Sequence, residues 1–155
     1  MSHVVSMRLR DDQMERLRRL ARRLGRTPSE VSALLLEESL REAEFAFIEF
    51  RDSPTGRQAY VMGSGLAVWE VVVVARSYDG DVVRTAAHLV WPPVKVRAAL
   101  NYAEAFPAEI AAAVEDNNQG FEALKRMLPN AELFEVTDAD HAAELTETAK
   151  REPAQ

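Results

Sequence analysis

Side chains able to catalyse a reaction are few and widely spaced in this chain of 155 residues. The three histidines, His3, His88 and His141, have no carboxylates at metal-ligand spacing, and the chain contains no cysteine. The adjacent Glu37 and Glu38 point in different directions on a helix, so they form a poor acid/base pair. We therefore predict no catalytic residue, no metal and no cofactor, and a protein that is not an enzyme.

The string Gly63-Ser64-Gly65 suggests a nucleotide site, because it precedes a predicted helix. It lacks the third glycine of a dinucleotide fingerprint and the Gly-Lys-Ser/Thr of a phosphate-binding loop. A turn from a hairpin into a helix explains it better. A hydrolase that uses Ser64 stays open as an alternative, although no His/Asp arrangement around it can be inferred.

The first 26 residues carry the strongest local charge. They hold eight arginines against three acidic residues, a balance of +5 in a chain whose net charge is −6. This asymmetry predicts that the basic end meets an anion while the acidic remainder meets something different. The arginines are Arg8, Arg10, Arg16, Arg18, Arg19, Arg22, Arg23 and Arg26.

Residues 4–10 alternate between two faces, which predicts a half-buried strand. Val5, Met7 and Leu9 share one face. A lone strand leaves its edge groups unpaired, and no second strand follows nearby in the sequence. The expected partner is the same strand of a second chain, paired antiparallel across a two-fold axis. The opposite face carries Val4, Ser6, Arg8 and Arg10.

Two helices are predicted after this strand. Asp11 is expected to cap the first, which runs to about Leu24 and ends at Gly25. The sequence Thr-Pro-Ser-Glu at residues 27–30 is a capping box with proline at the first helical position, so it starts the second helix. That helix is apolar around more than half its circumference and must be buried on two sides, by its own first helix and by a partner chain. Its apolar residues are Val31, Ala33, Leu34, Leu35, Leu36 and Leu40.

This order of strand, basic helix, Gly-Arg-Thr-Pro-Ser-Glu and apolar helix resembles the ribbon-helix-helix family of repressors and antitoxins, over residues 4–44. The resemblance implies a homodimer on double-stranded DNA, with the paired strands in the major groove. Ser6 and Arg8 would read base edges, with Val4 and Arg10 flanking them. Arginine suits this role because its planar fork can bond both O6 and N7 of guanine.

The same resemblance implies a phosphate contact at the start of the second helix. Thr27 and Ser29, with Arg26 beside them, would supply it together with free backbone N–H groups and the positive end of the helix dipole. The other arginines of the first helix have a simpler interpretation as a solvated face, with one or two reaching phosphate.

Residues 45–107 predict a β-hairpin followed by helices. Residues 47–50 and 58–62 are the expected strands, and residues 66–77 are assigned to a helix although the run of four valines favours a strand. Asp81 is expected to cap a short helix through Leu89, and Pro93 to open a longer one, which gives the outline of a helix-turn-helix.

The strings Y-V-M-G-S-G-L-A-V-W-E-V-V at residues 60–72 and V-K-V-R-A-A-L-N-Y at residues 94–102 resemble a bacterial helix-turn-helix family of unknown function. Its members often occur as antitoxins beside toxins with a PIN-like nuclease fold. Lys95 and Arg97 would be the cations of a second DNA contact. Because cations are sparse here, we favour a segment that packs on the first module or binds protein, and the second DNA contact stays open.

Residues 108–155 form an acidic end, in which a helix that opens at Pro107 is expected to break at residues 116–120. Five large apolar residues follow in a stretch too punctuated to make its own core. They either pack back onto the body or anchor a protein partner, and the weakly hydrophobic tail beyond them is expected to order only on a partner. The five are Phe121, Leu124, Leu128, Leu133 and Phe134.

Taken together, these patterns predict a mainly α fold with an intermolecular β-ribbon, in three segments: a dimerising DNA-binding module (1–44), a hairpin with a helix-turn-helix-like domain (45–107) and an acidic tail (108–155). The expected function is an antitoxin that represses its own operon and neutralises a PIN-like ribonuclease. The alternative is a stand-alone repressor whose acidic body senses a ligand or a protein. No signal peptide or membrane span is apparent, so we expect a cytoplasmic protein.

Overall fold

The computed structural model describes residues 6–127. Six helices account for 68% of these residues, and the remaining regular structure is one two-stranded antiparallel sheet. The predicted mainly α class is therefore confirmed. The elements are α1 (Asp11–Leu24), α2 (Pro28–Glu44), β1 (Ile48–Ser53), β2 (Gly56–Val61), α3 (Val68–Ser77), α4 (Val82–Leu89), α5 (Pro93–Ala105) and α6 (Pro107–Met127).

The caps of α1 and α2 follow from local chemistry, with one correction. Asp11 was expected to cap α1, but the N-cap position is Arg10, whose backbone N–H donates to Gln13 Oε1 at 3.0 Å. Asp11 lies in the first turn, where its charge is favourable near the positive end of the helix dipole. At the other end Gly25 has φ 64°, the left-handed conformation that ends a helix at least cost on glycine.

The predicted hairpin is confirmed. Its two strands pair antiparallel, with Ile48 opposite Val61 at the open end and Ser53 opposite Gly56 at the turn. The helix predicted for residues 66–77 is also confirmed, as α3. Its buried residues recur at helical spacing, and this periodicity outweighs the strand preference of four successive valines. These buried residues are Val68, Val71, Val72 and Ala75.

The helices α4 and α5 begin as predicted. The Asp81 side chain accepts hydrogen bonds from the N–H groups of Val83 and Arg84 at 2.8 and 3.0 Å, and Pro93 is the first residue of α5. The hairpin, α3, α4, α5 and the start of α6 enclose the main core. Its buried members are Ile48, Ala59, Val61, Val68, Val71, Val72, Ala86, Val96, Ala99, Tyr102 and Ile110.

The break expected at residues 116–120 is wrong, because α6 runs without interruption from Pro107 to Met127. Asparagine or glycine in an exposed helix costs only about 0.5–1 kcal/mol relative to alanine. That cost is small compared with the stabilisation from the backbone hydrogen bonds that a continuous helix keeps. The polar run at residues 116–120 therefore interrupts the apolar periodicity without ending the helix.

The described residues fall into two units, which divide after Asp116. The segment boundaries predicted at residues 44 and 107 stay predictions. None of the helices within residues 6–127 has the length and apolar character needed to cross a membrane.

Candidate nucleic-acid interface

The predicted ribbon residues lie along the start of the N-terminal module. Residues 6–10 form no strand within the single chain. A strand requires a paired neighbour, and the predicted neighbour is a second chain. Ser6, Arg8 and Arg10 are exposed, whereas Leu9 is half-buried and Met7 is 60% exposed. Val4, predicted to flank the readers, lies outside the described residues.

The two arginines of this segment differ in availability. Arg10 Nε donates to Asp12 Oδ1 at 3.1 Å, so part of its hydrogen-bonding capacity is already used. Arg8 makes no hydrogen bond or ion pair with any residue in the part of the chain that is described. Its full guanidinium fork is therefore available for a base edge or a phosphate.

The exposed arginines of α1 mostly pair with acids on the same helix. Arg16 bonds Asp12 at 3.2 Å, and the Arg19 and Arg22 guanidinium groups lie 3.9 and 3.8 Å from Glu15. Exposed pairs of this kind contribute little to stability, so replacing one by a phosphate partner costs little. These arginines can therefore pair with phosphates when DNA is bound and with Asp12 or Glu15 when it is not.

The predicted phosphate site at the start of α2 is already partly occupied. The Thr27 hydroxyl donates to Glu30 Oε2 at 2.7 Å and accepts from the Glu30 N–H at 3.3 Å, which completes the capping box. Hydrogen bonds from Thr27 hold the pKa of the Glu30 carboxyl below its usual value. Ser29 and Arg26 are exposed and have no hydrogen bond or ion pair among the described side chains, so they are better placed for phosphate than Thr27.

An apolar groove runs beside these polar groups. It is a cavity of about 440 Å³ between the start of the chain, α1 and α2. In the whole of α1 and α2 the buried apolar residues are Ala21 and Val31, while Leu36 and Leu40 are 48% and 50% exposed. Two helices with so little enclosed apolar surface lack a sufficient core of their own. The apolar lining of the groove is Met7, Leu9, Leu17, Leu20, Leu35 and Leu36.

A second side of α2 is tied to the hairpin by the Arg57 network, which consists of Arg57, Glu38 and Asp52. Arg57 Nε and Nη2 donate to the two oxygens of Glu38 at 2.6 and 2.8 Å, and Nη1 donates to Asp52 at 3.0 Å. Glu38 is only 5% exposed, so its charge needs this partner. Asp52 also lies 3.9 Å from Arg23 of α1, which brings the hairpin tip to both helices of the module.

The C-terminal half of α2 is tied to α5 and α6 by the Arg41 network, which consists of Arg41, Tyr102 and Glu109. Arg41 Nη1 donates to Tyr102 Oη at 2.8 Å and to Glu109 at 2.6 Å, and the Tyr102 hydroxyl donates to Glu109 at 2.8 Å. The guanidinium also lies 3.9 Å from the centre of the Phe106 ring. Burial and the bond to Glu109 raise the pKa of Tyr102 well above its usual value, so its hydroxyl keeps its proton.

Neither network was predicted from the sequence. Arg41 and its partners are 61 and 68 residues apart in the chain, and no local spacing signals such a contact. The one sequence feature noted that belongs to these contacts is the adjacent pair Glu37 and Glu38. The prediction that these two point in different directions is confirmed, since Glu37 pairs with Arg41 and Glu38 with Arg57.

The cations suggested for a second DNA contact differ in their surroundings. Lys95 Nζ donates to the Met62 carbonyl at 3.0 Å and lies 6.0 Å from the centre of the Trp91 ring, so its ammonium group already has a partner in the chain. Arg97 is exposed. The structure does not bring these two cations into one group with Arg8.

Of the five predicted partner anchors, two lie in the described part of the chain. Phe121 and Leu124 on α6 are 38% and 46% exposed, and Lys125 Nζ lies 4.5 Å from the Phe121 ring. Leu128, Leu133 and Phe134 lie outside the described residues.

Groups of His, Asp or Glu able to hold a metal ion are absent from residues 6–127. Comparison of the chain with protein-family models, with curated proteins and with solved structures finds no significant match.

Proposed function

We propose that the chain is a homodimeric DNA-binding protein of the ribbon-helix-helix type. The observation that carries the proposal is the apolar groove, which adjoins a segment whose alternate residues, Ser6, Arg8 and Arg10, are exposed. A second copy of the same segment, paired antiparallel, covers the groove and sets both copies of Arg8 on one ribbon. Burying Leu36, which lines the groove, in this way contributes up to about 1.5–3 kcal/mol.

The dimer is tested by placing a charge in the groove of the full-length chain. Leu36→Lys is expected to sediment as a monomer and to lose most of its affinity for the DNA upstream of its own coding sequence. Ala43→Lys is the matched control, because Ala43 is also exposed on α2 but does not line the groove. A Leu36→Lys protein that remains dimeric, or a wild type that is monomeric, would contradict the proposal.

Within this role, we favour an antitoxin that represses its own operon in the cytoplasm and neutralises a ribonuclease. The support is the pair Phe121 and Leu124, which are exposed on α6 beside the acidic residue Glu122. An enzyme that cleaves RNA has a cationic cleft for its polyanionic substrate, and acids flanking apolar anchors complement such a cleft. Co-expression with any small nuclease encoded beside the gene, scored by cell growth, tests this function.

One observation favours the second candidate, a repressor that senses a ligand. A cavity of about 330 Å³ lies between the α2–β1 connection and α5. It is lined by Phe45 and Phe47 together with the polar side chains of Glu44, Arg97 and Asn101. A volume of this order suits a small molecule. If DNA binding responds to a small molecule and Arg97→Ala removes the response, this candidate displaces the antitoxin.

A further inference from the structure

The cavity of about 330 Å³ beside α5 has two walls of different origin. On one side α5 supplies Arg97 and Asn101, which lie four residues apart and therefore share one face of the helix. On the other side lie Glu44, the last residue of α2, and the aromatic residues Phe45 and Phe47. We call this space the α2–α5 cavity.

Two side chains of the α2–α5 cavity carry opposite charges that are not used elsewhere. Glu44 and Arg97 are both exposed, and neither side chain makes a hydrogen bond or ion pair with any residue in the described range 6–127. They also do not pair with each other, although both line the same cavity. Asn101 adds an amide that can donate and accept hydrogen bonds. The cavity therefore presents a cation, an anion and an amide, all available to a ligand.

The backbone at Phe47 is held in an unusual conformation. Its φ is 63°, in the left-handed region that bulky residues rarely adopt. Its carbonyl accepts a hydrogen bond from the Met62 N–H at 2.8 Å, a bond that does not involve the side chain. Phe45 packs against the main core, whereas Phe47 is half-buried and lies outside that core. The chain thus holds an aromatic ring at the cavity at a cost in backbone strain, and such strain is typical of ligand-binding sites.

A ligand with a single charge suits this cavity poorly. An anion that pairs with Arg97 meets the like charge of Glu44, and a cation that pairs with Glu44 meets the like charge of Arg97. A neutral apolar ligand would take both charged groups out of water without giving either a partner, which costs free energy. A small molecule that carries both charges avoids each of these penalties.

We propose that the α2–α5 cavity binds a small zwitterion with an apolar body, of the α-amino acid class. The ligand carboxylate pairs with Arg97, whose planar fork suits a carboxylate. The ligand ammonium pairs with Glu44, which lies at the negative end of the α2 dipole. The apolar side chain packs against Phe47 and Val94. The inference deepens the ligand-sensing candidate, on which it rests for a role in repression.

The test uses four small molecules and the full-length protein, with binding measured by calorimetry at neutral pH. L-phenylalanine carries both charges and an apolar body, and it is expected to bind with a Kd of about 1 mM or tighter. Phenethylamine lacks the carboxylate, 3-phenylpropionate lacks the ammonium, and glycine lacks the apolar body. Each of these three is expected to bind at least about tenfold more weakly, the ratio that 1.4 kcal/mol gives.

Two variants assign the binding to the cavity. Arg97→Ala should weaken L-phenylalanine at least about tenfold but not phenethylamine, which has no carboxylate to lose. Glu44→Gln should weaken L-phenylalanine by a similar factor but not 3-phenylpropionate. The matched controls are Arg76→Ala and Glu104→Gln, because both residues are exposed and neither lines the cavity. Both control proteins should bind L-phenylalanine as the wild type does.

The inference is overturned if L-phenylalanine does not bind, if a singly charged analogue binds as tightly, or if either cavity variant binds like the wild type. In those cases the proposed binding of DNA by the N-terminal module is unaffected. Gel shifts with and without L-phenylalanine separate the two claims. Binding at the cavity with no change in DNA affinity supports the site and removes the ligand-sensing candidate.

Discussion

At the scale of single residues, Arg8 is the side chain on which base recognition is expected to depend. Arg8→Ala should leave the dimer folded and lower the affinity for its own upstream DNA by about 1–3 kcal/mol, the worth of one bidentate contact to a base. Gel-shift titration against this DNA and against random duplexes separates two roles. Equal losses on both would make Arg8 a phosphate contact only.

Arg18 provides the matched control for this substitution. It is also an exposed arginine without an ion pair in the described structure, but it lies on α1 rather than on the predicted ribbon. Arg18→Ala is expected to weaken binding to both kinds of duplex by the same small factor. It should also reduce the dependence of binding on salt concentration.

Tyr102 is a second residue with a defined expectation. Tyr102→Phe keeps the ring that packs against Phe45 and Phe106 but removes the hydroxyl that links Arg41 to Glu109. Since hydrogen bonds to charged groups are worth about 1.5–3 kcal/mol each, the free energy of unfolding should fall by an amount of this order. Tyr60→Phe is the control, because the Tyr60 hydroxyl makes no hydrogen bond with the described residues, and its urea midpoint should hardly move.

The Glu30 carboxylate gives a pH dependence. Its pKa is lowered in the folded state by hydrogen bonds from Thr27, so its contribution to stability is present above the pKa of the unfolded chain and is lost as pH falls through the folded value. Glu30→Gln should therefore have a lower Tm than the wild type at neutral pH, and the two Tm values should converge in acid. A difference that persists at the lowest pH at which both fold would show that the carboxylate charge is not its source.

At the scale of elements, local chemistry predicted most helices and the hairpin but not their long-range partners. The Thr27–Glu30 capping box, Asp81 and Pro93 act within one turn, so sequence spacing reveals them, whereas the cap of α1 lies at Arg10 rather than at the predicted Asp11. The Arg57 and Arg41 networks depend on which elements meet in space, and no periodicity encodes that. The failure at residues 116–120 has a different origin: Asn and Gly were given more weight as breakers than their cost in an exposed helix warrants.

The continuity of α6 can be tested at Gly120. A methyl group added there meets no atom within 4 Å, and the residue lies inside the helix. Gly120→Ala is therefore expected to stabilise this part of α6 by about 0.5–1 kcal/mol, seen as slower amide exchange on both sides of residue 120. Unchanged or faster exchange would mean that the helix is interrupted at this point.

The exposed face of α6 is tested by truncation after Gly120. If Phe121 and the residues beyond it anchor a partner, the shortened protein keeps its Tm and its DNA affinity but no longer neutralises the toxin in co-expression. Phe121→Ala combined with Leu124→Ala in the full-length chain is the companion variant, because it retains the helix. Unfolding of the truncated protein would identify the segment as core, and retained neutralisation would place the partner surface elsewhere.

At the scale of the whole molecule, the question is how far the N-terminal module depends on the rest. Residues 1–44 are expected to dimerise and bind DNA alone, since the apolar groove is built from α1, α2 and the residues before them. Without the body, Glu38 loses Arg57 and Arg41 loses Tyr102 and Glu109, so the fragment should melt below the full-length protein. Sedimentation and thermal melts of the fragment decide this, and a folded monomer would contradict both the dimer and the shared ribbon.

The position of the Arg57 and Arg41 networks on α2 has a consequence for valency. A dimer joined through the apolar groove of α2 carries two bodies, each attached to the same helix that forms the joint. Any surface of the body is then displayed twice, so a partner that is itself two-fold meets two tethered sites. Its second attachment is governed by effective concentration rather than by free concentration, and avidity can exceed the affinity of one site by about 10²–10⁴. A weak single contact is therefore enough for a long-lived complex.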